Sequence, residues 1–288
     1  MEIKSLAGVG FDVIFKAFAQ AFADYEMQVD RTQLQVMLKR RGFLPELSFA
    51  AFEGDDIVAF TLNGVGLFNG VLTAYDTGTG TVKAYRKQGL ATQIFQYSVP
   101  YLREMHIQQY LLEVLQHNTK AVSIYTNQGF EVSREFNYFM QRNDAVLCES
   151  KQTENFYSIS PISVEALAAI PYLGDFHPSW QNSMESIART ASDFTFLGAF
   201  VGTGLVGYCV FDPISGDVTQ IAVDQPYRRK GIASLLLAEM LRLNKSENIK
   251  VLNTAISCES ITAFLQAKNI PVKGQQFEMI KKIAVSSE

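Results

Sequence analysis

Apolar side chains at Phe11, Ile14, Phe15, Phe18 and Phe22 recur at steps of three and four, the spacing that lays one face of a helix on a core. A second helical stretch is predicted from about Thr32 to Lys39, after which the period shortens to that of strands. "ELSFAAFEGDDIVAFTL" reads as strand, Gly-Asp-Asp turn and strand, with β-branched and aromatic residues flanking the turn. "GVLTAYDTG" and "TGTVKAY" predict two more strands. A helix over about Leu90–Glu104, a buried strand at "YLLEVL", a helix from Asn118 to about Gln128 and a strand at "FNYFMQ" follow.

The second half repeats this order. "TFLGAFVGTGLVGYCVF" is again strand, Gly-rich turn, strand; "DVTQIAV" is a strand, Ile232 to Leu243 a helix, "IKVLNTAI" a strand, "SITAFLQAK" a helix and "FEMIKKIAV" a closing strand. Between the halves, "NDAVLCESKQTEN" at 143–155 is polar and has neither period, which predicts a linker. The chain therefore reads as a duplication with domains over 1–145 and 154–288, mixed α/β in class. The copies are not evenly spaced: Ala59 to Arg86 is 27 positions and Gly207 to Arg228 is 21, so the loops near this point are expected to differ.

Composition narrows the class. The 288 residues are 48% hydrophobic, 19% charged and 12% aromatic, as in an ordinary globular protein, and long enough for two cores. A net charge of -4 argues against a nucleic-acid partner, which a broad basic face would favour. Cys148, Cys209 and Cys258 are scattered and lack CxxC spacing, so neither a disulfide framework nor a zinc site is expected, and no metal. The N-terminal run "FDVIFKAFAQAFADY" is interrupted by Asp12, Lys16 and Asp24, unlike a secretion signal, and nowhere do 18 apolar residues run together. A cytoplasmic protein without a membrane partner is the expectation.

The octet "AYRKQGLA" at 84–91 returns as "PYRRKGIA" at 226–233, each time between a strand and a helix. Arg-x-x-Gly-x-Ala puts a residue without Cβ at Gly89 or Gly231, where a bulky anion can approach the main chain. The helix that follows begins with N–H groups lacking internal partners and with the positive end of its dipole, a cradle for a pyrophosphate. Arg86 or Arg228 can add a charge-assisted contact, and Ala91 or Ala233 lets the helix sit close to the sheet. One copy alone reads as well as a plain strand-to-helix turn; two in matching contexts weigh against that. No Gly-Lys-Ser/Thr follows, which excludes a Walker loop, and Gly78-x-Gly80 finds Lys83 where a dinucleotide fingerprint needs its third glycine.

The strand, the Arg-x-x-Gly-x-Ala loop and the amphipathic helix resemble the acyl-CoA pyrophosphate loop of the GCN5-related N-acetyltransferase (GNAT) superfamily, in both halves. "LLEVLQHNTKAVSIYTNQGF", residues 111–130, is similar to the second signature of that family: Glu-Val at a strand end, Asn-x-x-Ala-x-x-Ile-Tyr on a helix, then Gly-Phe. In the branch that acetylates protein N-termini, a glutamate and a tyrosine hold the positions of Glu113 and Tyr125. The resemblance implies two tandem GNAT-like domains, each a mostly antiparallel, splayed mixed sheet flanked by helices, with acetyl-CoA as cosubstrate wedged in the splay. It implies cofactor contacts from Thr81, Val82, Lys83, Arg86, Lys87, Gln88, Gly89, Leu90, Ala91, Asn118 and Ala121 in the first half. In the second they come from Val223, Arg228, Arg229, Lys230, Gly231, Ile232 and Ala233.

The residues themselves agree. Asn118, Ala121 and Tyr125 share one helix face, and Asn118 as N-cap would hold first-turn amides while Ala121 leaves room for a pantetheine arm. Acyl transfer to an amine needs the ammonium deprotonated, for which Glu113 is the candidate base. A backbone N–H near Thr81 to Lys83 is the expected oxyanion donor. Tyr125 would meet the departing sulfur, although a phenol near 10 and a thiol near 8.5 make complete proton transfer uphill by roughly 2 kcal/mol. His117 could compete as base but reads more simply as structural, and Cys148 is given no role.

The second copy departs from the pattern, with Asn253 in place of Glu113, Cys258 of Asn118, Leu265 of Tyr125 and Asn269-Ile270 of Gly-Phe. Catalysis is therefore expected in the first half and CoA binding without the acid/base pair in the second. Trp180 in "HPSWQNSMES" could line an acceptor pocket, or belong to a loop anchoring a helix. A module that binds acyl-CoA without turnover is the rival reading, and the acceptor, a small-molecule or peptide amine, is not legible.

Overall fold

The computed structural model describes residues 1–24, 28–148 and 157–283. The predicted linker is thus seen over 143–148, and its residues 149–155, like Ala284 and Val285 of the last predicted strand, lie outside the described residues.

In chain order the elements are β1 (Glu2–Ser5), α1 (Phe11–Ala21), α2 (Arg31–Arg40), β2 (Phe49–Glu53), β3 (Asp56–Phe68), β4 (Val71–Thr81), α3 (Leu90–Glu104), β5 (Gln109–Leu115), α4 (Thr119–Asn127) and β6 (Glu131–Arg142). They continue with β7 (Ser158–Pro161), α5 (Val164–Ala168), α6 (Met184–Arg189), β8 (Thr195–Val201), β9 (Gly204–Asp212), β10 (Asp217–Val223), α7 (Ile232–Leu243), β11 (Asn248–Ala255), α8 (Glu259–Ala267) and β12 (Val272–Lys282). The predicted strands and helices form with bounds close to those expected. β1, β7, α5 and α6 are additional, each too short to carry a readable period.

These elements make two compact units, Met1–Ser133 with Glu278–Glu288, and Arg134–Phe277. The units of packing therefore differ from the repeat segments 1–145 and 154–288 at their last strands. Most of β6 belongs to the second unit, where it pairs antiparallel with β11, and the end of β12 belongs to the first. The first unit's sheet runs β1-β2-β3-β4-β5-β12 and the second's β6-β11-β10-β9-β8-β7.

In the first unit α1 and α2 cover one face, burying Ile14, Phe18, Leu34 and Leu38 against Phe52, Phe60 and Leu62. Phe11, Phe15 and Phe22 flank that core half-buried. Gly80 makes the close approach possible, since a Cβ there would stand 2.6 Å from the Phe60 ring and 2.9 Å from Ala21. α3 covers the other face with Leu90 and Ile94 on Phe49, Ala51 and Val58. α2 starts with a capping box in which Asp30 and Gln33 each accept the other's backbone N–H.

Two expectations are corrected here. "GVLTAYDTG" and the start of "TGTVKAY" belong to one strand, β4, which ends at Thr81 before a 3-10 turn at Lys83–Tyr85, and a β-bulge that shifts its register on β3 between Asn63↔Asp76 and Leu62↔Gly78 breaks the alternation at Thr77. The unequal spacing of the two copies comes mainly from longer strands, offset in part by a shorter turn: β3 and β4 have 13 and 11 residues joined by residues 69–70, β9 and β10 have 9 and 7 joined by residues 213–216.

Candidate active site

The two octets fold alike. Gly89 and Gly231 sit at φ +74° and +87°, N-capping α3 and α7 with no side-chain hydrogen bond to the helix, so the first-turn N–H groups have no acceptor from a cap. Two residues earlier, Lys87 and Arg229 also have left-handed φ, 66° and 62°, a strain of the kind found at ligand clamps. Lys87, Arg229 and Lys230 are exposed, while Ala91 and Ala233 are partly covered where their helices meet the sheet.

The first arginine of each octet already has partners within the protein. Arg86 donates from Nε to the Thr81 carbonyl (3.2 Å), from Nη2 to the Ala21 carbonyl (2.9 Å) and from Nη1 to Asp24 (3.1 Å). Arg228 repeats this with the Val223 carbonyl (2.8 Å), the Leu173 carbonyl (3.2 Å) and Asp175 (2.7 Å). With several donors committed and a carboxylate against the charge, each guanidinium braces its loop, and the cationic side chains exposed to solvent are those beside it, Lys230 lying over the Tyr227 ring. Lys83 also reaches Asp24, at 3.4 Å; Asp24 and Asp175 had no signal in the sequence.

Each sheet opens next to its loop. β4 and β5 pair in parallel only at Thr73↔Gln109, Ala74↔Tyr110 and Tyr75↔Leu111, although β4 continues to Thr81 and β5 to Leu115. In the second unit the parallel pairing of β10 and β11 is confined to Asp217↔Lys250. There the seam leads into a cavity of about 770 Å³, lined by the 227–234 loop, Tyr172, Thr219, Leu252, Cys258 and Phe264. The bulge recurs at Thr219 in β10, between Phe211↔Val218 and Val210↔Gln220, the same position of the repeat as Thr77. The expected oxyanion donor near Thr81 to Lys83 is corrected in part, because the Val82 N–H is bound to the Val58 carbonyl at 2.9 Å.

A polar cluster lies at the first unit's seam. Alternation along the strands, with the registers Gly64↔Tyr75 and Tyr75↔Leu111, places Tyr75, Leu111 and Glu113 on the α1–α2 face. The Tyr75 hydroxyl hydrogen-bonds Glu113; burial, and after it the Glu113 charge, push the Tyr75 phenol well above its usual value. On the α3 face stand Asn63, Asp76 and Tyr110, the Tyr110 hydroxyl donating to Asn63. Asn118 N-caps α4 through the Ala121 N–H (3.3 Å), as expected, and Tyr125, half-buried against Phe130, donates its hydroxyl to Asp76 Oδ2 at 3.3 Å. Glu113 and Tyr125 thus approach the seam from opposite faces.

Asp76 is the residue that sequence reasoning missed. Its Oδ1 accepts the Gly78 N–H (2.9 Å) and its Oδ2 the Thr79 hydroxyl (2.7 Å). Burial pushes its carboxyl up to about 6, against the lowering by those bonds, by Tyr125 and by Arg41. The only sequence signal was "YDTGT", an acidic residue followed by small ones in a strand where a bulge is common. A carboxyl whose pKa is raised on folding favours the native state below its unfolded value, near 3.9, and that stability is lost as pH rises toward 6. Asp76→Asn should therefore leave stability near pH 4 little changed and raise it near pH 8 by up to about 3 kcal/mol, readable from urea midpoints at both pH values.

In the second unit the corresponding groups are structural. Asn253, at the position of Glu113, is buried, donates to Ser179 Oγ at 2.8 Å and accepts from Gln276. Cys258 N-caps α8 with no side-chain bond to its backbone, its sulfur instead meeting the Ser260 hydroxyl at 3.3 Å. Val218 replaces Asp76, and Leu265 is buried in the core. Trp180, 1% exposed, anchors the segment before α6 rather than lining a pocket. His117 is exposed, and burial raises the Cys148 thiol. Among the described residues no cluster of His, Cys, Asp or Glu suits a metal ion, and no helix is long and apolar enough to cross a membrane.

Comparison with known proteins identifies the family. Residues 13–130 and 162–262 match the profile described as "Acetyltransferase (GNAT) family". N-alpha-acetyltransferase 30 of Schizosaccharomyces pombe is 31% identical over 103 residues, 35% of this chain and 69% of that protein. Among solved structures, a tandem GNAT protein from the clavulanic acid biosynthesis pathway aligns over 99% of this chain and 100% of its own at a TM-score of 0.75 and 14% identity. A GCN5-related N-acetyltransferase from Sphaerobacter thermophilus aligns over 98% and 95% at a TM-score of 0.71 and 16% identity. These two likenesses concern the fold.

Proposed function

Because this chain belongs to the acetyltransferase (GNAT) family, whose profile matches both of its halves, we propose that it moves an acetyl group from acetyl-CoA to the α-amine of a peptide chain, at the seam of the first unit. That it is an N-acetyltransferase follows from the family and from the N-alpha-acetyltransferase relative; the donor, the acceptor and the residue roles are the proposal. The observation that carries it is the seam itself: pairing ends at Tyr75↔Leu111, with Glu113 on one face and Tyr125 on the other.

The residues fit the donor. Gly89 leaves open the space that a Cβ would occupy, with only the Gln93 amide at 3.7 Å, and the α3 first turn and Lys87 offer N–H groups and a charge to a diphosphate. Bound acetyl-CoA supplies an acyl group already activated as a thioester. Glu113 takes the proton of the incoming ammonium from the α1–α2 face. With Val82 committed to the sheet, the bulged Thr77, which has no residue opposite it on β3, is the candidate oxyanion donor. Tyr125 hydrogen-bonds the departing sulfur from the α3 face. In the second unit the loop and the 770 Å³ cavity favour CoA binding, and Asn253 and Leu265 favour no chemistry there.

Thiol release from acetyl-CoA tests this with three acceptor sets: peptides with free α-amines, the same peptides N-blocked but carrying lysine, and small amines including an aminoglycoside. Turnover is expected with the first set. Turnover confined to either other set overturns the acceptor class, and tight CoA binding with no turnover supports the non-catalytic module instead.

A further inference from the structure

We propose that Asp76 is the proton reservoir behind Tyr125. As the thiolate departs, the Tyr125 O–H bond breaks and an S–H bond forms; the Asp76 O–H bond breaks and the phenol O–H is restored. Asp76 is left as a carboxylate that takes a proton from solvent before the next turnover. This rests on the reading above that transfer occurs at the first unit's seam.

The geometry prepares Asp76 for the task. Its carboxyl is oriented from its own strand by the Gly78 N–H and the Thr79 hydroxyl, and Oδ2 is in contact with the Tyr125 hydroxyl at 3.3 Å. With Asp76 ionised, Tyr125 donates to it; with Asp76 protonated, the same contact runs the other way and frees the phenol proton for sulfur. The other groups that influence it are Arg41 from the end of α2, Tyr110 from β5 and Tyr75 from β4. Glu113 is held by Tyr75 on the opposite face.

The reservoir removes a difficulty that Tyr125 faces alone. A phenol near 10 donating fully to a thiolate near 8.5 is uphill about thirtyfold. A carboxyl near 6 as the net donor makes the transfer downhill by about 300-fold. The second unit acts as an internal comparison. It keeps the bulged threonine, Thr219, yet has Val218 for Asp76 and Leu265 for Tyr125. The carboxylate is absent where the tyrosine is absent, although the local backbone that would hold it persists.

The test uses the full chain, acetyl-CoA and peptides with free α-amines, with kcat measured across pH for wild type, Asp76→Asn, Asp76→Glu, Tyr125→Phe and the Asp76→Asn/Tyr125→Phe double variant. Asp76→Asn is expected to lower kcat about tenfold or more with KM for acetyl-CoA unchanged, and to abolish the fall in kcat as pH rises through the carboxyl titration. Asp76→Glu restores part of both, and Asp76→Asn adds no loss to Tyr125→Phe. A wild-type pH profile in Asp76→Asn, or a further loss on top of Tyr125→Phe, overturns the reservoir and leaves the function standing. Wild type inactive with every amine overturns the function, and the reservoir with it. Tyrosine absorbance needs no turnover: the Tyr125 ionisation, isolated as wild type minus Tyr125→Phe, must move to lower pH in Asp76→Asn, and an unmoved titration rejects the contact.

Discussion

Tyr125→Phe is expected to lower kcat by roughly 10²- to 10⁴-fold, the range for loss of a positioned proton donor, with KM for acetyl-CoA nearly unchanged. The phenol oxygen is the only atom lost. Phe keeps the edge contact with Phe130 at a centroid distance of 5.7 Å, so folding persists while the hydroxyl that meets Asp76 is gone. Glu113→Gln should cost a comparable factor near neutral pH and recover partly as pH rises, since a more basic medium delivers the amine already deprotonated. Steady-state kinetics with a free-α-amine peptide check both. Unchanged kcat/KM in both variants, together with loss of turnover in Arg228→Ala, would move the chemistry to the second unit.

Gly89→Val and Gly231→Val should each abolish one cofactor site. Both glycines have left-handed φ, +74° and +87°, where a β-branched residue costs about 1–3 kcal/mol, and the new side chain stands on the approach to the helix N-terminus. Titration calorimetry with CoA is expected to give two sites for wild type, one for each variant and none for the pair, with circular dichroism unchanged. A single wild-type site lost only through Gly231→Val would confine the cofactor to the second unit; no heat at all from wild type would end the cradle reading for both.

The bracing of the loops explains why two octets were legible while the partners of their arginines were not. A strand-to-helix turn with glycine in a left-handed conformation is specified by neighbours within a few positions, so "AYRKQGLA" and "PYRRKGIA" announced it twice. The partner of Arg86 is Asp24, 62 positions earlier, and that of Arg228 is the segment of Leu173, 55 positions earlier. No local spacing connects them. The same distance effect hid Asp76: its bond to Tyr125 joins residues 49 apart, and its raised carboxyl depends on a burial that only the assembled segments supply.

Local chemistry thus settled much from the amino-acid order alone. Periods of two and of three to four residues placed the main strands and helices, with α3 and α7 at Leu90–Glu104 and Ile232–Leu243 as expected. Capping preference placed Asn118, and the duplication placed both left-handed glycine turns ahead of α3 and α7. What needed the folded chain were features made by strand pairing and burial: the parting of β4 from β5 after Tyr75, the merging of two predicted strands across the Thr77 bulge, the assignment of β6 and the end of β12 to packing units other than those of their repeat segments, and the carboxyl beside Tyr125. Register and desolvation are properties of several segments together, whereas turns, caps and periodicity are properties of one.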